Sequence, residues 1–155
     1  MNNRSTVKQS LTIHSHVSKI FEAWSNLEDW TLWTPTVEKI IRLNNIHFDV
    51  GTKIKIYQPK LAPAVWKIVK VHPGQSFIWE TKSPGLNLAA LHLVEPAGSV
   101  SKVTVELKYS GFLSRLAYQS TKSMVEIYID AELKSLKHFC EHEQNIFAKR
   151  MSNLN

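Results

Sequence analysis

His92 lies in the otherwise apolar run 86–94, and two-residue alternation puts its imidazole on the same face as Leu88, Ala90 and Val94. Two roles suit such a group. It is a buried histidine hydrogen-bonded to a neighbour, or the polar anchor by which a mostly apolar pocket orients a ligand carbonyl or hydroxyl. A histidine titrating near neutral pH can also act as acid or base. Tryptophan is the second notable residue type, with five in 155 residues. A buried indole N–H needs a polar partner, so these rings collect where an apolar wall meets water or ligand. Core packing is expected for Trp24 and Trp30, whereas Trp33, Trp66 and Trp79 suit a wall as well as a core.

The other constellations are thinner. Glu126 and Asp130, four residues apart, share a face between apolar positions and read as solvated, with Glu132 close by. His138 and His142 have the spacing to share a metal, with Glu141 near them. No third ligand follows at a fixed spacing and there is no His-Glu-X-X-His pattern, so no metal site is expected. The five glycines are mostly isolated in turns, which excludes a phosphate-cradling loop. Cys140 falls on a packed helical stripe and reads as inert, and nothing calls for a cofactor.

The elements that must position these groups follow from periodicity and punctuation. Val103, Val105, Leu107 and Tyr109 alternate with Lys102, Thr104, Glu106 and Lys108, as a strand with one wet face does. Residues 53–56 alternate likewise, and 7–13, 37–43, 64–72, 76–82 and 86–95 complete seven strands between Gly- and Pro-rich turns. Connections this short imply antiparallel neighbours. Ser15 is placed to cap a helix carrying Val17, Ile20, Phe21 and Trp24. Ser25 and Glu28 have capping-box spacing for a second short helix, which Thr34-Pro35 ends. A long amphipathic helix over 115–145 carries Met124, Val125, Tyr128, Ile129, Leu133, Leu136, Phe139 and Cys140 at three- and four-residue spacing. Its stripe needs a large apolar partner, and the sheet is the one available.

Length and composition fit one α+β domain spanning 1–155. The longest stretch without Asp, Glu, Lys or Arg is 12 residues, 83–94, short of the ~20 a membrane-spanning helix needs. A lone cysteine forms no internal disulfide and residues 1–10 are polar, so a reducing cytoplasm is the expected compartment. The net charge is +6, and residues 39–82 hold eight basic side chains against two acidic ones, which accounts for the whole imbalance. These lysines alternate with apolar residues, so the stretch is a solvated sheet face or a footprint for RNA or an anionic membrane.

The order strand, two helices, six strands, long helix resembles the START-like, or Bet v 1-like, superfamily, and within it the polyketide cyclase/dehydrase and lipid-transport proteins. The likeness rests on Leu11-Thr12-Ile13 before a helix with Val17 and Phe21, then Trp30-Thr31-Leu32-Trp33-Thr34-Pro35 and Asp49-Val50-Gly51. It continues through Trp66-Lys67-Ile68, Phe77-Ile78-Trp79, His92 with Glu95-Pro96, Gly111-Phe112-Leu113, and Leu133 to Glu141. Many relatives have Ala-Pro before the first helix, where this chain has His14-Ser15-His16-Val17.

The resemblance implies a helix-grip fold in which a curved seven-stranded sheet wraps the last helix around a cavity for an apolar or amphiphilic small molecule. The candidate wall comprises Trp33, Ile54, Ile56, Trp66, Trp79, His92, Met124 and Tyr128. Binding or transport of such a molecule is the expected function. The alternatives are an aromatic cyclase/dehydratase using His92, and docking on RNA or an anionic membrane through 39–82.

Overall fold

A computed structural model describes residues 5–143, 149 and 151–154. Seven strands form one antiparallel sheet: β1 (Thr6–Ile13), β2 (Lys39–Arg42), β3 (Lys53–Tyr57), β4 (Ala64–His72), β5 (Ser76–Ser83), β6 (Leu86–Ala97) and β7 (Val100–Ser110). Their order is β1-β7-β6-β5-β4-β3-β2. Alternation decides the faces. Val103, Val105 and Tyr109 of β7 are buried while Lys102 and Lys108 stand in water. In β4 a bulge between Ile68 and Lys70 resets the alternation, so Val71 pairs with Phe77 while Lys70 stays exposed. β6 runs past the expected stop at 95, with Pro96 in register with Ser101. Gly98 at φ 70° then turns the chain in two residues.

Between β1 and β2 come α1 (Val17–Ser25), a 3-10 turn (Leu27–Asp29) and α2 (Trp30–Trp33). The expected caps are displaced. His16, not Ser15, caps α1, its Nδ1 accepting from the Ser18 amide at 3.2 Å. The Ser15 carbonyl accepts from Ser101 Oγ at 2.7 Å. Ser25 and Glu28 form no capping box either. The Ser25 hydroxyl turns back to the Glu22 carbonyl, and Glu28 reaches Arg42 at 2.7 Å. That hydrogen bond, above all else, holds the Glu28 carboxyl below its usual range.

The long helix α3 (Ser114–His138) gives way to a π turn, Phe139–Glu143. The expected end at 145 lies outside the described residues. Its start is set by a close approach of two turns. The Gly85 carbonyl accepts from the Leu113 amide at 2.9 Å, and a Cβ on Gly111 (φ 98°) would meet that same oxygen at 2.5 Å. α3 packs unevenly along its length. Ile129, Leu133 and Leu136 are buried with Phe139 and Cys140 beyond them, whereas Ala117, Thr121, Met124, Val125 and Tyr128 are half-buried. Among the described residues no helix is long and apolar enough to cross a membrane.

Candidate functional site

The loosely packed half of α3 roofs a cavity of about 370 Å³. Strand register arranges its floor in successive rows: Tyr109, Leu88 and Thr81, then Leu107, Ala90 and Trp79, then Val105 and His92. Trp30, Val37, Ile56, Ala64 and Trp66 form one side, and Met124, Val125, Tyr128 and Ile129 cover the top. Leu86, Leu88, Leu107 and Trp66 point inward yet are only half-buried, because they border a void where a packed core would supply a neighbour. Leu61 and Ala62, in the loop between β3 and β4, line the cavity and are also exposed, so they form its rim.

One end of this apolar space is polar. His92 is 2% exposed, and its Nε2 lies 2.9 Å from Glu132 Oε1 on α3. A carboxylate oxygen accepts, so the Nε2–H of His92 is the donor of this pair. The imidazole stacks on Phe77, with ring centroids 4.5 Å apart and planes 8° from parallel. The rings of Trp24, Trp30 and Trp79 stand edge-on around it at 5.3, 5.8 and 5.5 Å. His92 Nδ1 and Trp24 Nε1 are both buried with no hydrogen-bond partner among the described residues. A carboxylate that holds one imidazole nitrogen in a buried aromatic box can orient a ligand, or orient a histidine for proton transfer.

The remaining polar groups of the wall are largely satisfied by the protein. Thr121 Oγ1 donates to the Ala117 carbonyl at 2.7 Å, so the Tyr109 hydroxyl, 2.7 Å from Thr121, is the donor of that pair. Burial pushes the Tyr109 phenol up, partly opposed by the Thr121 bond. The Tyr128 hydroxyl donates to the Pro59 carbonyl, and Gln58 Nε2 to the Thr36 carbonyl at 3.1 Å.

Of the candidate wall residues, Ile56, Trp66, Trp79, His92, Met124 and Tyr128 line the cavity, whereas Trp33 and Ile54 do not. Trp33, at the end of α2, is drawn into packing with Trp30 and Phe139. Ile54 faces inward like Ile56, but one pair further along β3, where it is 1% exposed in the solid core. Trp30, expected in the core, is both buried and part of the wall. Glu132 is the residue whose role sequence reasoning missed. A signal existed, since Glu132 continues the sheet-facing spacing of Val125, Ile129 and Leu136 and so interrupts an apolar stripe with a carboxylate.

The remaining candidates stay apart from the cavity. Glu126 and Asp130 are partly exposed and face Lys122 and Lys134 across the helix surface. His138 pairs with Glu143, and no group of three or more His, Cys, Asp or Glu gathers as metal ligands among the described residues. Lys53, Lys55 and Lys67 lie on the outer face of the sheet, Lys53 and Lys67 in direct register.

Seven antiparallel strands gripping a long C-terminal helix, with short helices after the first strand, make the Bet v 1-like helix-grip fold, and solved structures share it. The Zhui aromatase/cyclase from a Streptomyces species superposes with a TM-score of 0.72 at 11% identity, covering 88% of this chain and 93% of that one. Ara h 8.0201 gives 0.65 at 16% identity, over 87% and 96%. The di-domain aromatase/cyclase BexL gives 0.73 at 13% identity over 90% of this chain, which spans 47% of BexL and 52% of the similar di-domain StfQ. At these identities the likeness is one of fold. No curated protein matches the sequence. Residues 4–141 match the family described as "Polyketide cyclase / dehydrase and lipid transport", and the chain belongs to it.

Proposed function

We propose that the protein binds or transports an apolar or amphiphilic small molecule between the sheet and α3. The cavity itself carries this proposal. A space of about 370 Å³ walled mainly by aliphatic and aromatic side chains falls in the range of small-molecule pockets, with a few placed polar groups to set orientation. Membership of a family with lipid transport in its description supports the same function. Native mass spectrometry of the purified protein should find an apolar molecule bound, and apolar probes should quench tryptophan emission. A protein that carries no ligand and answers to no probe would sink the proposal.

The His92–Glu132 pair favours a second function, an aromatic cyclase/dehydratase-type enzyme with His92 as acid/base and Glu132 orienting it. The two are separable once a substrate is found. His92→Gln should weaken binding modestly if His92 only anchors, because an amide still donates and accepts. Loss of turnover with binding retained would point to catalysis. A bound molecule recovered unchanged after prolonged incubation favours binding. The outer lysine face is a separate proposal for RNA or anionic membrane, and its affinity should collapse as salt rises.

A further inference from the structure

We infer that the cavity selects its ligand by the sign of the polar group, taking an apolar molecule that carries a hydroxyl or ammonium donor and rejecting one that carries a carboxylate. This rests on the cavity being a binding site and names the class of ligand it takes. The net charge of the chain is +6, yet among the described residues no lysine or arginine contributes to the cavity wall. Among the described residues the wall holds one carboxylate, Glu132, whose side chain is 14% exposed. The hydrogen bond that the structure shows to Glu132 comes from His92 and engages Oε1. A carboxylate has acceptor sites on both oxygens, so one accepting oxygen remains at that end of the cavity.

The hydroxyls elsewhere along the wall push the same way. Tyr109, Thr121 and Tyr128 already donate their protons to Thr121, Ala117 and Pro59, and what they still offer a ligand is lone pairs. A ligand hydroxyl or ammonium finds acceptors there. A ligand carboxylate would bring a second negative charge beside Glu132, in surroundings of aromatic rings that screen it poorly. The outer lysines attract anions from solution, so the cavity and the surface discriminate in opposite senses, and moderate salt removes the surface contribution first.

The test uses four probes on one ring system: pyrene, pyrenemethanol, pyrenemethylamine and pyrenecarboxylic acid. Each is titrated into the 155-residue chain at neutral pH and physiological salt, following loss of tryptophan emission and gain of pyrene emission. The amine and the acid are both charged, so their ratio reports sign and not hydrophobicity. The amine should bind at least tenfold more tightly than the acid, about 1.4 kcal/mol, with the alcohol also ahead of the acid. Glu132→Gln, confirmed folded by its thermal melt, should bring amine and acid within about threefold. An acid that binds wild-type protein as tightly as the amine overturns the inference even if the variant does not fold. A ratio left unchanged by Glu132→Gln overturns it as well. If pyrene binds but sign makes no difference, the cavity remains a binding site without this selectivity. If none of the four binds, cavity binding and selectivity fall together.

Discussion

The Tyr128 hydroxyl donates to the Pro59 carbonyl, which fastens α3, the roof of the cavity, to the loop between β3 and β4. Leu61 and Ala62 of that loop form part of the rim. Tyr128→Phe keeps the ring in the wall and removes the bond. Ligand dissociation should quicken severalfold in stopped-flow measurements, while stability falls by about 1 kcal/mol, as for one hydrogen bond lost. An unchanged dissociation rate would show that the bond does not restrain the rim.

Leu136 is fully buried where α3 meets the sheet. Leu136→Ala should cost ~2–5 kcal/mol, the range for large-to-small changes in a packed core. A loss well under 1 kcal/mol in urea melts would mean that α3 does not fill the grip of the sheet.

Met124 is half-buried in the roof, with the void beneath it. Met124→Trp should therefore block large aromatic probes before it harms the thermal melt, because the added volume has somewhere to go. In the wild-type protein the quenching should come from Trp30, Trp66 and Trp79, which line the cavity, and not from Trp33, which does not. Single Trp→Phe variants separate these contributions. Affinity should persist from low to high salt, as expected when apolar surface leaves water, and a steep decline would point to the outer lysines instead.

Burial pushes the Cys140 thiol up to about 12, with Glu141 adding in the same direction. At pH 8 roughly a thousandth of the thiolate of a free cysteine remains, so a disulfide reagent should label native protein slower than unfolded protein by a comparable factor. Equal rates would place the thiol in water. The folded thiol keeps its proton where the unfolded one has lost it. Its contribution to stability is therefore full below about pH 9 and fades as the pH rises towards 12.

What the sequence by itself determined is the set of elements and their faces. The Val103, Val105, Leu107, Tyr109 alternation names the inner side of β7 from local pattern alone, since successive side chains of a strand must point opposite ways. The spacing of Ile129, Leu133 and Leu136 likewise orients α3. His92 was legible as the polar group on an apolar face because its neighbours on that strand are aliphatic.

Tertiary structure decided the rest, wherever two distant segments compete for one group. Glu28 leaves its expected capping box because Arg42 supplies another partner, and His16 takes the cap expected of Ser15. Trp33 and Ile54 went into the core and Trp30 to the wall, although all three are apolar in the same local sense. Glu132 was read only as a neighbour of Glu126 and Asp130, because its partner lies 40 residues away, and only the folded sheet brings His92 within 2.9 Å. The cavity is further still from local reading. It exists because the turns at Gly85 and Gly111 set the start of α3 while Leu133 and Leu136 anchor its far half, leaving Met124 and Val125 over a space that no nearby side chain fills.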